Sequence, residues 1–393
     1  MSKITMLAPF GIRPKGTLLA RMLPLAQALV QRGHQVQIIA PPLQNPQDAG
    51  QTVSYQGVPV THTPRPNLPS FLGFLQQVRF LTAQTVATKP DLIHLFKPKG
   101  FSGLAALSLR ISHPQLPLVV DTDDWEGWGG WNDLLPYPHW AKTLFAWQEK
   151  DLPRRAAAVT VASRTLETQV WGFGLPSERV FYLPNGINFS AEKQLLAPNQ
   201  PLPQQNENLR LLLYTRFWEF DLRDLILALI IICQQAPKTQ LMVIGRGENG
   251  EERELFRLAQ RAGIAKALDY RGWQEPKAIA ALLAEAEIAL MPLNDSLINR
   301  ARCSAKLLEL MAAGLPLVAT RVGQVTEYLH ERESGLLVAP NDSAGLARAV
   351  LLLHTTPQLR QQLGAGAVQA AKRYTWAKLA LIAEQAYQFA NQK

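Results

Sequence analysis

A chain of 393 residues exceeds what one hydrophobic core organises and fits two domains. Its 47% hydrophobic and 18% charged residues exclude a disordered chain, and two cysteines, Cys233 and Cys303, exclude a disulfide framework or a thiol metal site and favour a reducing, cytoplasmic setting. The net charge of +9 divides into +6 up to Ser190 and +3 beyond. With no basic stretch interleaved with aromatics this argues against nucleic acid, and it leaves open peripheral contact of the first half with an anionic membrane surface or an anionic acceptor. The longest apolar run, residues 225–233, is far short of the roughly 20 residues that span a bilayer, and residues 3–10 read as a first strand rather than a signal peptide.

In chain order, residues 3–9 form a strand, 11–16 a loop, 18–32 a helix ending at Gly33, and 34–40 a second strand, a βαβ opening. The loop Gly11-Ile-Arg-Pro-Lys-Gly16 lacks the full Gly-x-Gly-x-x-Gly fingerprint, which weakens a nicotinamide-dinucleotide reading. After a proline-rich stretch, residues 71–88 make an amphipathic helix whose apolar face is Phe71, Phe74, Leu75, Val78, Leu81 and Thr85. Residues 91–96 are a buried strand leading into Lys97-Pro-Lys-Gly100 and a helix to Arg110.

The strand 117–121 ends in Asp121, Asp123, Asp124 and Glu126. Trp125, Trp128, Trp131, Tyr137, Trp140 and Trp147 follow. Carboxylates that bond hydroxyls beside indoles that cover sugar faces suit a carbohydrate site. A Trp-rich lid on its own domain, an interfacial belt at a membrane, and a divalent-metal site from Asp121, Asp123 and Asp124 stay open beside that reading. A strand into Ser163, a helix from Arg164 and a strand reaching Leu-Pro-Asn-Gly186 close the first domain. Residues 190–208, rich in Gln, Asn and Pro, read as a linker.

The second domain alternates strands at 209–215, 240–245, 268–273 and 288–292 with helices at 224–235, 251–262 and 279–286. Residues 291–320 then read MPLNDSLINRARCSAKLLELMAAGLPLVAT. Apolar residues cover most of the helix from Ala305 to Ala312, interrupted by Lys306 and Glu309, which share one stripe. They form either an ordinary surface pair or one acid and one base shown to a cleft. Ser304 is the N-cap, Gly314 the C′ residue and Pro316 the stop, before a short buried strand. A helix N-terminus beside Arg300, Arg302 and Lys306 suits a phosphate.

Helix, Glu309, small-residue pair, Gly-x-Pro and buried strand together resemble the donor-sugar segment of the family 4 retaining glycosyltransferases, the group 1 glycosyl transferases. The resemblance implies a GT-B fold of two Rossmann-like α/β domains whose strand ends face a cleft. Residues 1–187 would be the acceptor domain, 188–208 the linker and 209–372 the sugar-nucleotide domain, with 373–393 a helix returning to the first domain. It also implies transfer of a hexose from a UDP- or GDP-sugar to a lipid, glycan or other hydroxyl acceptor. The nucleotide sugar is then a co-substrate, and neither a cofactor nor a metal is expected.

Carried over by residue, the resemblance makes Arg216 and Lys306 diphosphate ligands and Glu309 the ribose ligand. Gly245 lies in the sugar-nucleotide loop, with Gly272 and Trp273 at the nucleobase and Glu327 in the turn after the donor helix. Gly16 would let the backbone approach donor or acceptor, with Lys15 and Arg13 adding charge. His94 is the one kept member of a His-x-His pair, Phe96 replacing the other; read alone it is a satisfied core imidazole, with Lys97 or Lys99 supplying the polarity instead. Asp123 and Asp124, beside Trp125 and Trp128, would serve the acceptor. The family lysine five residues after Arg216 is here Asp221, for which Arg223, Arg300 or Arg302 would substitute. The first glutamate of the family's Glu-x7-Glu signature is Ala301. These departures keep a non-catalytic relative within a glycosylation complex as the alternative, with a sugar-nucleotide epimerase behind it.

Overall fold

The computed structural model describes residues 1–12, 16–189 and 208–392. Lys15, Arg13 and most of the expected linker therefore lie outside the described residues. The chain divides into two compact units, Met1–Gly186 with Ala301–Cys303 and Trp376–Lys393, and Ile187–Arg300 with Ser304–Thr375.

The first unit is built on strands β1 (Lys3–Leu7), β2 (Gln35–Ala40), β3 (Thr52–Tyr55), β4 (Val58–His62), β5 (Leu92–Phe96), β6 (Leu118–Thr122), β7 (Ala158–Val161) and β8 (Val180–Tyr182). They lie in the order β3-β4-β2-β1-β5-β6-β7-β8. All pairs are parallel except the β3–β4 hairpin. β5 and β6 are buried along their whole length, as parallel strands covered on both faces are. One of those helices is Trp376–Asn391, which buries Trp376, Leu379, Ala383 and Tyr387 in the core of this unit.

The second unit carries β9 (Arg210–Tyr214), β10 (Gln240–Ile244), β11 (Leu268–Gly272), β12 (Ile288–Met291), β13 (Leu317–Thr320) and β14 (Leu336–Val338), all parallel, in the order β11-β10-β9-β12-β13-β14. β14 is the sheet edge and the last strand among the described residues. In both sheets the strand order reverses once, at β1/β5 and at β9/β12. Open parallel sheets bind ligands outside the carboxyl ends of the strands at such a reversal. That places residues 8–12 and 97–100 of the first unit, and 215–221 and 292–300 of the second, where a ligand is expected.

Among the described residues no helix is long and apolar enough to cross a membrane. The amphipathic helix, Ser70–Ala87, packs only its later part as expected. Leu81 is buried, while Leu72 is 56% and Phe71 68% exposed.

Candidate functional site

In the second unit, β9 delivers Tyr214, Thr215 and Arg216 to the carboxyl edge. The turn after it is held by Glu219, a buried carboxylate that accepts the Thr215 hydroxyl at 2.8 Å and the Arg216 N–H at 3.0 Å. Sequence reading missed Glu219, whose only signal is an acid inside the apolar run Phe217–Phe220. The Arg216 guanidinium reaches Glu248 at 2.6 Å. Asp221, standing where the family lysine was expected, caps the helix Leu222–Gln235 by accepting the Arg223 N–H at 2.8 Å. Arg223 is exposed on the first turn of that helix.

The helix Ala305–Ala312 begins at Ser304, whose hydroxyl accepts the Leu307 N–H, and ends before Gly314 at φ 73°. Its inward face buries Leu307, Leu308, Leu310 and Met311. The Lys306 ammonium sits 4.6 Å from the Tyr214 ring centroid. The Tyr214 phenol is pushed up by burial and then by the negative charge of Glu309. Lys306 and Glu309 thus both act on Tyr214 at the end of β9, two residues before Arg216.

Gly245, after β10, adopts φ 134°, and a Cβ there would overlap the Thr215 carbonyl oxygen, so only glycine lets these two strand ends close up. Its N–H donates to the Gly272 carbonyl at 2.8 Å, and Gly272 itself has φ 66°. Trp273 is 61% exposed. Arg300 is committed to Asp295, 2.6 Å between Nη2 and Oδ2. Arg302 is half-buried in the stretch that clusters with the first unit. Glu327 is half-buried in the turn Val325–Tyr328, its carbonyl accepting the Tyr374 hydroxyl at 3.0 Å.

In the first unit the acids after β6 separate. Asp121 is fully buried and takes the forked guanidinium of Arg21 at 2.8 and 2.6 Å, plus the Thr160 hydroxyl at 2.5 Å. Arg21 also donates to Asn185 Oδ1 at 3.0 Å and to the Leu183 carbonyl at 2.7 Å. Burial opposes the Arg21 charge, but Asp121 more than restores it and holds the guanidinium above its usual range. Arg21 was overlooked in the sequence. Its signal is an arginine at a core-facing helical position between Leu18 and Leu25.

Asp123, Asp124 and Glu126 surround the buried ammonium of Lys97, which lies 3.4 Å from Asp123 and 3.0 Å from Glu126 and also bonds Asp124. Lys99 adds 2.8 Å to Glu126. Burial would raise the Glu126 carboxyl, yet the two lysines hold it at about 2. Burial lifts Asp123 to about 7 against the pull of Lys97, with Asp124 and Asp121 adding to the rise. The Thr17 hydroxyl, one residue past the exposed Gly16, donates to Asp123 at 3.1 Å. Among the described residues no cluster of His, Cys, Asp and Glu could hold a metal ion. Arg21 pairs with Asp121, and Lys97 with Asp123 and Asp124.

His94 follows the core reading. It lies inside β5 with no exposure, its ring nitrogens 2.8 Å from the Tyr387 hydroxyl and 3.3 Å from that of Thr160, and burial lowers its pKa to about 4. It is a core imidazole that ties the helix Trp376–Asn391 to the sheet. Of the tryptophans, Trp128 is 51% exposed, and the Trp125 indole donates to its carbonyl at 3.0 Å.

Residues 16–186 match the model of the glycosyl transferase 4-like domain, and residues 209–356 that of the glycosyl transferases group 1. The sequence is 25% identical to the phosphatidyl-myo-inositol mannosyltransferase of Mycobacterium leprae over 387 residues, covering 96% of this chain and 94% of that protein. The fold superposes on sucrose-phosphate synthase from Thermosynechococcus elongatus with a TM-score of 0.74 at 21% identity, covering 99% of this chain and 98% of that one. It superposes on Anabaena HepE in complex with UDP with a TM-score of 0.69 at 20% identity, covering 99% and 100%. With both domain models matched in order and the whole-chain fold shared, this chain belongs to the group 1 glycosyltransferases of GT-B fold.

Proposed function

We propose that the chain transfers a hexose from a UDP- or GDP-sugar to a hydroxyl of a lipid or glycan acceptor, with retention of anomeric configuration. The observation that carries this reading is that Lys306 and Glu309 both act on Tyr214 at the end of β9, two residues before Arg216, inside the segment that matches the group 1 model. As the acceptor oxygen bonds the anomeric carbon, the bond to the diphosphate breaks and negative charge grows on the leaving group. Arg216 and Lys306 stabilise that charge without a resident metal, Arg216 as a fork and Lys306 as a point charge. Glu309 accepts from the ribose hydroxyls, and Gly272 with exposed Trp273 takes the base.

In the first unit, Asp123 and Asp124 hold the acceptor hydroxyls, with Lys97 fixing the carboxylates. Whole-length similarity to a phosphatidyl-myo-inositol mannosyltransferase supports a lipid-linked polyol as acceptor. The exposed Leu68, Phe71, Leu72 and Leu75 support peripheral contact with a membrane at its cytoplasmic face. HepE, which carries UDP, supports a uridine nucleotide.

The test is multiple-turnover release of nucleoside diphosphate from UDP- and GDP-hexoses, with phosphatidylinositol vesicles as acceptor, in wild type and Glu309→Ala. Turnover that the substitution abolishes is the expected result. A second reading, a non-catalytic binder, is favoured by Ala301, fully buried at the signature position, and by Asp221 serving as a helix cap. Tight nucleotide binding with no turnover on any acceptor would select it.

A further inference from the structure

The loop after β10 and the first turn of the helix Glu251–Arg261 together carry four acids in seven residues, Glu248, Glu251, Glu252 and Glu254. Three of them reach back to cationic or N–H groups at the same edge of the sheet. Glu248 takes the Arg216 guanidinium at 2.6 Å. Glu252 accepts the Gly247 N–H at 3.1 Å, and Glu251 the Asn249 N–H at 2.8 Å. A guanidinium and backbone N–H groups of a glycine turn just before a helix are the groups that bind a phosphate anion. Here the protein's own carboxylates engage them.

We propose that Glu248 and Glu252 act as a built-in anion that occupies the donor groups of the diphosphate site when it is empty, and so set the affinity for the nucleotide. The inference rests on the reading of Arg216 as a diphosphate ligand. Gly245 makes the arrangement local, because its close approach to the Thr215 carbonyl brings the acidic loop against the turn that presents Arg216. The diphosphate of a nucleotide sugar carries two negative charges, as the two carboxylates together do, but on more acceptor oxygens, so it competes for the same donors at a cost set by the pairs it breaks. The Arg216–Glu248 pair is half-exposed on both sides, which bounds that cost to the range of surface ion pairs.

The experiment titrates UDP, GDP and the bare nucleosides into wild type, Glu248→Gln, Glu252→Gln, the double variant and Arg216→Ala by calorimetry. Removing the Glu248 charge should tighten nucleoside diphosphate binding about two- to five-fold, and both charges about ten-fold, with nucleoside binding unchanged. In turnover, the donor KM should fall while kcat holds. Unchanged or weaker diphosphate binding in Glu248→Gln, with binding lost in Arg216→Ala, overturns the inference alone. If wild type binds no nucleotide, or Arg216→Ala binds as wild type does, the donor-site reading fails and the inference falls with it.

Discussion

Replacing Asp121 with asparagine should destabilise the first unit by about 3–5 kcal/mol, the range for leaving one member of a buried ion pair without its partner. Arg21 is 1% exposed and has no route to water. It keeps Asn185 Oδ1 and the Leu183 carbonyl, but loses a bidentate pair of charge-assisted bonds at 2.8 and 2.6 Å. An asparagine offers one acceptor where the carboxylate offered two, and its NH2 turns a donor toward either the guanidinium or the Thr160 hydroxyl. Asp121→Leu combined with Arg21→Met removes both charges and should recover most of the loss, because two apolar side chains of similar size need no compensation. Urea unfolding of the single and double variants, followed by near-ultraviolet circular dichroism, measures both quantities. A loss under about 1 kcal/mol in Asp121→Asn, or a double variant as unstable as the single, would refute the claim that this pair is a closed charge unit in the core.

Gly245→Ala forces an L side chain into φ 134° and against the Thr215 carbonyl, and should cost the second unit more than about 3 kcal/mol, read as a lowered thermal midpoint with nucleotide binding lost. Glu149, buried and accepting the Glu126 and Gly127 N–H groups at 2.6 and 2.9 Å, has its carboxyl raised to about 7 by burial, with the nearby Glu126 charge contributing. The native state therefore holds this proton where the unfolded chain has released it, so stability falls as pH rises from about 4.5 through about 7, by on the order of 3 kcal/mol. Glu149→Gln lacks that term. Its stability relative to wild type should climb across this window and level above it, and a difference flat with pH between 4 and 8 would refute the assignment.

The strands were legible because parallel strands covered on both faces read as apolar runs. The helix Ala305–Ala312 was legible because Ser304, Gly314 and Pro316 are local signals at fixed offsets. The roles of individual charges were not. His94 read as a core imidazole or a strand-end ligand, and its core partners Tyr387, 293 positions away, and Thr160 are not visible in the sequence. Asp121 looked like one of four equivalent acids, and its partner Arg21 lies 100 positions earlier. Asp221 looked like a lost phosphate ligand and is a helix cap, a role that sequence does encode, since an aspartate before Leu-Arg-Asp is an N-cap signal.

The six residues from Asp121 to Glu126 show why a departure from a family pattern cannot be weighed one position at a time. Lys97 and Lys99 bring two positive charges to the end of β5, with Lys97 in a left-handed conformation at φ 50° that few non-glycine residues adopt. Two buried ammonium groups require carboxylates close by, and Asp123, Asp124 and Glu126 supply them. Glu126, bridged by both lysines, is held fully ionised. Asp123, sharing one lysine and facing Asp124 and Asp121, is lifted into the physiological range. Phe96 beside Lys97, read alone, is the loss of a histidine. Taken with the acids of the next strand it belongs to a five-charge group in which one carboxyl is poised to gain or release a proton near neutral pH. Removing Lys97 should therefore shift Asp123 further upward, while removing either lysine weakens the hold on ionised Glu126.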